Sequence, residues 1–188
     1  MTKVVMIRHS EPNYEFVQAR NFVGHGVDLA QLSEAGIQLA EDVSFDARLA
    51  ESEIIVSSPY TRALQTAAII SKNRSMNISI ELNLHEWIPD LSFKFAEFEQ
   101  VKRAVELCEK NQGVCPPDCE ITFENLENVF NRVKKCLLNY TNYKKIIVVT
   151  HGMVMHQFTS EPLILPQYCA IQEFDFDEHF KWRGFSVR

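Results

Sequence analysis

The sequence predicts an α/β protein with a mostly parallel central sheet, helices on both faces of that sheet and a small cap insertion. Two observations support this fold class. Short apolar, β-branched segments alternate with longer segments of helical periodicity, and the chain has neither a repeat nor a linker-like stretch. With 188 residues, 46% of them hydrophobic, the chain can bury a substantial core. We expect one domain, residues 1–188, in which residues 87–120 form a cap or insertion.

The first half of the chain predicts one buried strand, a long loop and one helix. Residues 3–9 are apolar and end at charged residues, which is typical of a buried strand. Residues 12–31 predict a long loop with one helical turn, and such loops are often functional. A helix is predicted over residues 33–51, with Ser33 as its N-cap. The spacing predicts that its buried face carries Ile37, Ala40 and Val43.

Two more strands flank the next helix. Residues 53–57 predict the second strand, and Ser58-Pro59 predicts the start of a helix that runs through Ile70. Residues 78–82 alternate between apolar and polar side chains, which predicts a strand near the edge of the sheet.

The second half predicts helices over residues 101–110 and 121–140, a buried strand over 145–150 and a short helix after Gly152. Two terminal strands are predicted over residues 170–176 and 182–187. The helix at 121–140 has the most regular apolar stripe, formed by Phe123, Leu126, Phe130, Val133 and Leu137.

Charged and titratable residues follow the ends of four predicted strands. They are Arg8 with His9, Arg62, Glu86 and His151. In open α/β sheets the ligand crevice lies beyond the carboxyl ends of the strands. We therefore expect these side chains to meet at one edge of the sheet.

These residue types suit phosphate chemistry. An arginine guanidinium is a planar group that matches phosphate oxygens, and a histidine can act as a nucleophile near neutral pH. A carboxyl group such as that of Glu86 can pass a proton to a leaving oxygen. Taken together at strand ends, these residues favour a functional site over a set of unrelated polar residues.

Five segments resemble those of the histidine phosphatase superfamily, the phosphoglycerate mutase-like group. In chain order they are Arg8-His9, Leu32-Ser33-Glu34-Ala35-Gly36, residues 57–67, Leu84-His85-Glu86 and Thr150-His151-Gly152. Their order and spacing agree with the family pattern from residue 3 to about residue 160.

The resemblance implies a role for each of the five residues at the strand ends. His9 would be the nucleophile that becomes phosphohistidine, and Glu86 would be the general acid and then the base that activates water. Arg8, Arg62 and His151 would bind the phosphoryl oxygens. Because these groups supply the positive charge, the resemblance implies no metal and no cofactor.

The family usually has Gly after the nucleophile, where this chain has Ser10. Gly tolerates backbone angles that Ser resists, so Ser10 bears on the shape of the loop after His9. We favour hydrolysis of a phosphomonoester. The alternatives are phosphoryl transfer of the phosphoglycerate mutase type, or a catalytically weak module that binds a phospho-ligand or a protein.

Asn13 and Tyr60 are further candidates for substrate contact, as are His25 and His85. The aromatic side chains of Trp87, Phe93, Phe95 and Phe98 are consistent with a lid over the site and equally with a small local core.

Charge and composition limit the partners. The 19 Lys and Arg against 25 Asp and Glu give 19 − 25 = −6, which argues against binding to a nucleic acid duplex. A phosphorylated small molecule or a phosphopeptide is the expected partner. No apolar run reaches the length of a membrane span or a signal peptide, so we expect a cytoplasmic protein. The five cysteines are expected to be free thiols rather than disulfides or zinc ligands. The sequence leaves the oligomeric state open.

Overall fold

The computed structural model describes residues 1–95, 97–159, 166–182 and 184. Its strands are β1 Thr2–Arg8, β2 Pro12–Asn13, β3 Gln31–Leu32, β4 Ile54–Ser57, β5 Ile78–Ile80, β6 Lys145–Thr150 and β7 Ile171–Phe176. Its α-helices are α1 Glu15–Gln18, α2 Glu34–Ser44, α3 Thr61–Arg74, α4 Phe98–Lys110, α5 Leu126–Leu138 and α6 Gly152–His156. Short 3-10 helices span Gly24–Leu29, Ala47–Leu49 and Leu82–Leu84.

The main sheet has the strand order β5-β4-β6-β1-β7. The pairings among β5, β4, β6 and β1 are parallel, whereas β7 runs antiparallel to β1. The prediction of a mostly parallel sheet is confirmed, and β5 lies at an edge of the sheet as its alternating pattern predicted.

Helices cover both faces of the sheet, as predicted. Alternate residues of each strand point to opposite faces. One face, with Val5 and Ile147, packs against Ala63, Ala67 and Ile70 of α3. The other face, which includes Met6 and Val148, packs against a larger cluster that contains residues of α4, α5 and α6. The division of the chain into one domain with an insertion at 87–120 stays a prediction.

The predicted helix at 33–51 is shorter than expected. Ser33 is its N-cap, because its hydroxyl accepts a hydrogen bond from the Gly36 N–H at 2.9 Å. The helix ends at Ser44, and a separate 3-10 turn follows. The predicted buried face was wrong at Ile37, which is 47% exposed, since the helix buries Gly36, Ala40 and Ser44 instead.

The start predicted for the next helix was also wrong. Ser58 continues the strand geometry, because its N–H donates to the Val149 carbonyl at 3.0 Å. Tyr60 is extended (φ −66°, ψ 136°), so α3 begins at Thr61. Arg62 therefore stands in the first turn of α3, directly beyond the end of β4.

Two expectations in the second half need correction. The helix at 121–140 is confined to Leu126–Leu138, because the chain before it is tied to neighbouring segments by the bond from Glu124 N–H to the Ile88 carbonyl at 3.0 Å. Phe123 is nevertheless buried in the core. Trp182 is not part of a strand, and residues 183 and 185–187 of the predicted last strand lie outside the described residues.

Gly36→Ala is expected to destabilise the protein, although alanine is normally the better helix former. A Cβ atom at this position would lie 2.2 Å from the Glu11 carbonyl oxygen, a backbone atom of the loop after His9. We expect a loss of about 1–3 kcal/mol in the free energy of unfolding, measured by chemical denaturation. A gain in stability, as helix propensity alone predicts, would contradict the close approach of α2 to this loop.

Candidate active site

The parallel ladder brings the ends of β1, β4 and β6 together. Arg8 pairs with Thr150 and Ser57 pairs with Val149, so the three strands end in register. The ladder extends one residue further, because the His9 N–H donates to the Thr150 carbonyl at 2.8 Å. The residues that follow these strands therefore lie side by side.

His9 is held in one tautomer. Its ring is 4% exposed, and its Nδ1 atom lies 2.7 Å from the Ser10 carbonyl oxygen. A carbonyl oxygen only accepts hydrogen bonds, so Nδ1 carries the hydrogen and the neutral ring has its lone pair on Nε2. Burial and the Arg62 guanidinium lower the pKa of His9 well below its ordinary value. A neutral imidazole with a free Nε2 lone pair is a competent nucleophile.

Ser10 fits the loop after His9. It is absent from the residues with positive φ, so the backbone there does not require Gly. Its N–H donates to Thr66 Oγ1 at 3.0 Å and its hydroxyl donates to the Gly36 carbonyl at 2.6 Å. These bonds fix the backbone next to the nucleophile.

Arg62 is the buried cation closest to His9. Its Nε donates to His9 Nε2 at 3.2 Å, and its Nη1 donates to Asp28 Oδ1 at 2.9 Å. The other oxygen of Asp28 lies 3.2 Å from His25 Nδ1, which is also 3.2 Å from the Tyr60 hydroxyl. A chain of polar contacts therefore holds the guanidinium against the imidazole.

Arg8 borders a cavity that opens in front of His9. One of its terminal nitrogens donates to the Pro166 carbonyl, and its guanidinium carbon lies 4.4 Å from the centre of the Tyr168 ring. Within the described part of the chain, its buried Nε has no hydrogen-bond partner. The Tyr168 ring also lies 5.8 Å from the His9 ring, so this tyrosine orients both residues.

His151 lies behind His9. The two ring centres are 5.1 Å apart, and His151 Nε2 lies 2.7 Å from the Ser58 hydroxyl. Burial, followed by the charge of Arg62, lowers the pKa of His151 well below its ordinary value. Its buried Nδ1 has no hydrogen-bond partner among the described residues. His151 contacts His9 without lining the cavity.

The Glu86 carboxylate faces the cavity from the segment after Leu82–Leu84. Its oxygens accept hydrogen bonds from the Trp87 N–H at 2.8 Å and the Met153 N–H at 3.4 Å. Burial raises the pKa of this carboxyl group above its ordinary value, against the opposing effects of the Trp87 N–H and the Arg62 charge. Glu86 therefore holds a proton at a higher pH than an ordinary glutamate does.

Arg132 is a site residue that the sequence prediction missed. From α5 it donates to three carbonyl oxygens of the segment that carries Glu86: those of Asn83 at 2.6 Å, His85 at 2.8 Å and Glu86 at 3.2 Å. It also pairs with both oxygens of Glu124, at 2.8 and 3.1 Å. Arg132 follows the buried Val129 by three residues and precedes the buried Cys136 by four, so it lies beside the apolar stripe of the helix. This spacing could have identified Arg132 as a partly buried residue from the sequence.

A cavity of about 280 Å³ opens in front of His9. It is lined by Arg8, His9, Arg62, Glu86, Asp28, His25, Tyr14, Tyr60, Tyr168 and a largely apolar wall. Burial raises the pKa of Tyr14 and of Tyr60, so both phenols keep their protons and can donate hydrogen bonds. The sequence prediction did not include Tyr14, Asp28 or Tyr168, whose neighbours along the chain carry no phosphate-binding pattern.

Asn13 lies apart from the cavity. It is exposed, its Oδ1 accepts from the Glu15 N–H at 2.8 Å, and it is not among the lining residues. Of the other candidates, Tyr60 and His25 line the cavity. His85 does not, and its Nδ1 instead donates to the Glu86 carbonyl at 2.7 Å.

The aromatic group of residues 87–98 takes both expected roles. Trp87 is buried, packs against Phe123 with ring centres 5.9 Å apart, and donates from Nε1 to the Glu124 carbonyl, and it also lines part of the cavity. Phe93, Phe95 and Phe98 line the cavity at its outer part.

In the described residues no three His, Cys, Asp or Glu side chains are grouped as metal ligands, and no helix there is long and apolar enough to cross a membrane. All five cysteines are free.

A family model described as the histidine phosphatase superfamily (branch 1) matches residues 4–176. The chain belongs to the histidine phosphatase superfamily. The resemblance inferred from the five sequence segments is thereby confirmed. No curated protein is significantly similar to the chain in sequence.

Solved structures share the fold of this histidine phosphatase. A mycobacterial glucosyl-3-phosphoglycerate phosphatase in complex with VO3 is 16% identical, with a TM-score of 0.68 over 92% of this chain and 90% of that one. YhfR of Bacillus stearothermophilus is 21% identical, with a TM-score of 0.67 over 100% of this chain and 98% of that one. Phosphoserine phosphatase of Entamoeba histolytica, in complex with 3-phosphoglyceric acid, is 24% identical, with a TM-score of 0.58 over 82% and 76%.

Arg132→Met is expected to lower the free energy of unfolding by about 3–5 kcal/mol, because it leaves the carboxylate of Glu124 buried without its cation. The two side chains of this pair are only 13% and 10% exposed. The control is Arg48→Met, which breaks the Arg48–Asp46 pair, with side chains 49% and 25% exposed. That variant should lose less than about 1 kcal/mol. Equal losses in chemical denaturation would show that Arg132 contributes no more than a surface ion pair.

Proposed function

We propose that this protein hydrolyses phosphate monoesters through a phosphohistidine on His9. The observation that carries the proposal is the unprotonated Nε2 of His9, which faces Arg62 in a cavity that Arg8 and Glu86 also line. This arrangement supplies a nucleophile, two cations for the phosphoryl oxygens and a proton donor. Phosphoryl transfer needs little else, because positioning and charge stabilisation provide most of the catalysis.

In the first step, His9 Nε2 attacks phosphorus and the ester P–O bond breaks. Arg62 gives up its bond to Nε2 as the phosphoryl group enters, and its guanidinium then binds phosphoryl oxygens together with Arg8. The leaving oxygen takes the proton of Glu86, so the product is a neutral alcohol. The ring of His151 packs 5.1 Å from that of His9 and does not line the cavity, so the phosphoryl oxygens are bound by the two arginines rather than by His151 as the resemblance implied.

In the second step, the Glu86 carboxylate accepts a proton from water, and that water attacks phosphorus. The P–N bond breaks, which releases inorganic phosphate and restores the His9 lone pair. The residues named in these two steps provide all the proton transfers and charge stabilisation, so we propose that turnover needs no metal and no cofactor.

The volume of the cavity favours a phosphorylated small molecule over a phosphopeptide as substrate. At about 280 Å³ it lies near the lower end of the range of small-molecule sites. No observation in the structure favours the mutase reaction or a purely binding role, and a binding module has no use for a proton donor such as Glu86.

His9→Ala is expected to abolish turnover of p-nitrophenyl phosphate in the presence of EDTA, because it removes the nucleophile. A short incubation with 32P-labelled substrate should leave an acid-labile, base-stable label on the wild type and none on the variant. His179→Ala, at a side chain that is 83% exposed, is the matched control and should retain both turnover and label. Comparable turnover by His9→Ala would show that the nucleophile is another residue.

Glu86→Gln is expected to lose about 100-fold or more in kcat/KM on alkyl phosphates and less than about tenfold on p-nitrophenyl phosphate. An alkoxide needs a proton in order to leave, whereas p-nitrophenolate leaves without one. Glu127→Gln, an exposed glutamate of α5, serves as the control. Equal losses on both substrates would show that Glu86 is not the acid, and Asp28 would become the candidate.

The pKa shifts of His9 and Glu86 predict how kcat/KM depends on pH. The pKa of His9 is lowered, so the nucleophile is neutral and active at any pH above that low value. The pKa of Glu86 is raised, so the acid is protonated below it and lost as the pH rises through it. The kcat/KM for an alkyl phosphate should therefore fall on the alkaline side, and in Glu86→Gln that fall should be absent. A wild-type rate that rises steadily with pH would contradict these assignments.

A further inference from the structure

The outer part of the cavity differs in character from the part beside His9. Its wall is built mainly from Phe22, Phe93, Phe95, Phe98, Val101 and Val105. Phe98, Val101 and Val105 follow one another at spacings of three and four along α4, so one side of this helix faces the cavity. Phe98 is 69% exposed and Phe93 is 38% exposed, so large apolar surfaces lie open at the cavity mouth.

Two separate segments are docked together to build this wall. The Gly24 N–H donates to the Phe95 carbonyl at 2.7 Å. A Cβ atom on Gly24 would lie 2.4 Å from the Phe93 carbonyl oxygen, so only glycine permits this approach. The rings of His25 and Phe93 lie 4.7 Å apart. The aromatic side chains are therefore held in place over the cavity by backbone contacts.

The charges on the lining residues are distributed unevenly. Among the described residues that line the cavity, the arginines and lysines are Arg8 and Arg62, and both are placed at the His9 end. Away from them the lining carries the carboxylate of Glu97. Asp28 is already paired with Arg62 at 2.9 Å, and His25 shares its Nδ1 between Asp28 and Tyr60. A second anionic group on a substrate would find no free cation in this wall and would be repelled by the Glu97 carboxylate.

We propose that the substrate is the phosphate monoester of an uncharged, apolar alcohol, either an aryl or a branched alkyl group. This inference rests on the proposed function, because phosphate binding at His9 places the alcohol part against the aromatic wall. Burial of the ring or alkyl group against this wall favours binding through the hydrophobic effect. The inferred class excludes carboxylated phosphates such as 3-phosphoglyceric acid, the molecule bound to the Entamoeba histolytica neighbour.

Binding of non-hydrolysable phosphonates tests the inference without turnover. We expect benzylphosphonate to bind about tenfold or more tightly than methylphosphonate in isothermal titration calorimetry, because it adds a buried ring. We expect 3-phosphonopropionate, which adds a carboxylate, to bind no more tightly than methylphosphonate. Equal affinities for the benzyl and methyl compounds, or tighter binding of the carboxylated one, would overturn the proposed substrate class.

A designed change of preference makes the test sharper. Val101→Lys introduces a cation into the wall at a position that a helix accommodates well. We expect it to bind 3-phosphonopropionate about tenfold more tightly than the wild type does, and benzylphosphonate more weakly. Val114→Lys, at an exposed residue outside the lining, is the matched control and should change neither affinity. An unchanged order of affinities in Val101→Lys would show that this wall does not contact the alcohol part.

Different results would contradict the proposed function and the proposed substrate class. If none of the three phosphonates binds, the phosphate site itself is misassigned and the proposed function falls together with the substrate class. If methylphosphonate binds but benzylphosphonate gains nothing, only the substrate class is wrong. The hydrolysis tests with His9→Ala stay valid in that second case, because p-nitrophenyl phosphate requires only the phosphate end of the cavity.

Discussion

The site depends on the parallel hydrogen bonding of β1, β6 and β4. The site residues come from distant parts of the sequence: Arg8 and His9, Arg62, and His151. The parallel strands end at the same edge of the sheet, and this brings the residues that follow each strand together. The ladder continues into the site, since His9 bonds to Thr150 and Ser58 bonds to Val149. The backbone of the nucleophile is thus fixed by the core of the protein. A rigid sheet is well suited to a reaction that relies on positioning.

One physical cause sets the protonation states of the site. Removal of water disfavours charge on any titratable group, so it lowers the pKa of a histidine and raises that of a carboxyl group. Both effects occur here, at His9 and at Glu86. The neutral forms that burial favours are the ones that the proposed chemistry requires, a lone pair on His9 and a proton on Glu86. Arg62 keeps its charge because Asp28 compensates it at 2.9 Å.

The fold class and the five residues at the strand ends could be predicted from sequence, because strand periodicity and the rule for parallel sheets are local signals. The helix start at Thr61 could not, since Ser58 is held extended by Val149 across the sheet. Asp28 and Tyr168 were missed for a related reason. Asp28 lies in the short 3-10 helix Gly24–Leu29 and Tyr168 lies in a turn, and the directions of both side chains depend on tertiary contacts. Arg132 shows the opposite case, because its place beside the apolar stripe of α5 was visible in the sequence.

The proposed chemistry and the proposed selectivity rest on different parts of the chain. His9, Arg62 and His151 follow sheet strands or begin the helix after one, and their geometry is fixed by backbone ladders. Apart from Phe22, the apolar wall comes from α4 and the segment before it, and that segment docks on the turn at Gly24. A change in this wall leaves the ladder intact, because no strand of the main sheet runs through the described residues 87–95 and 97–120. Under the proposed function, selectivity for the alcohol can therefore vary independently of the phosphoryl chemistry.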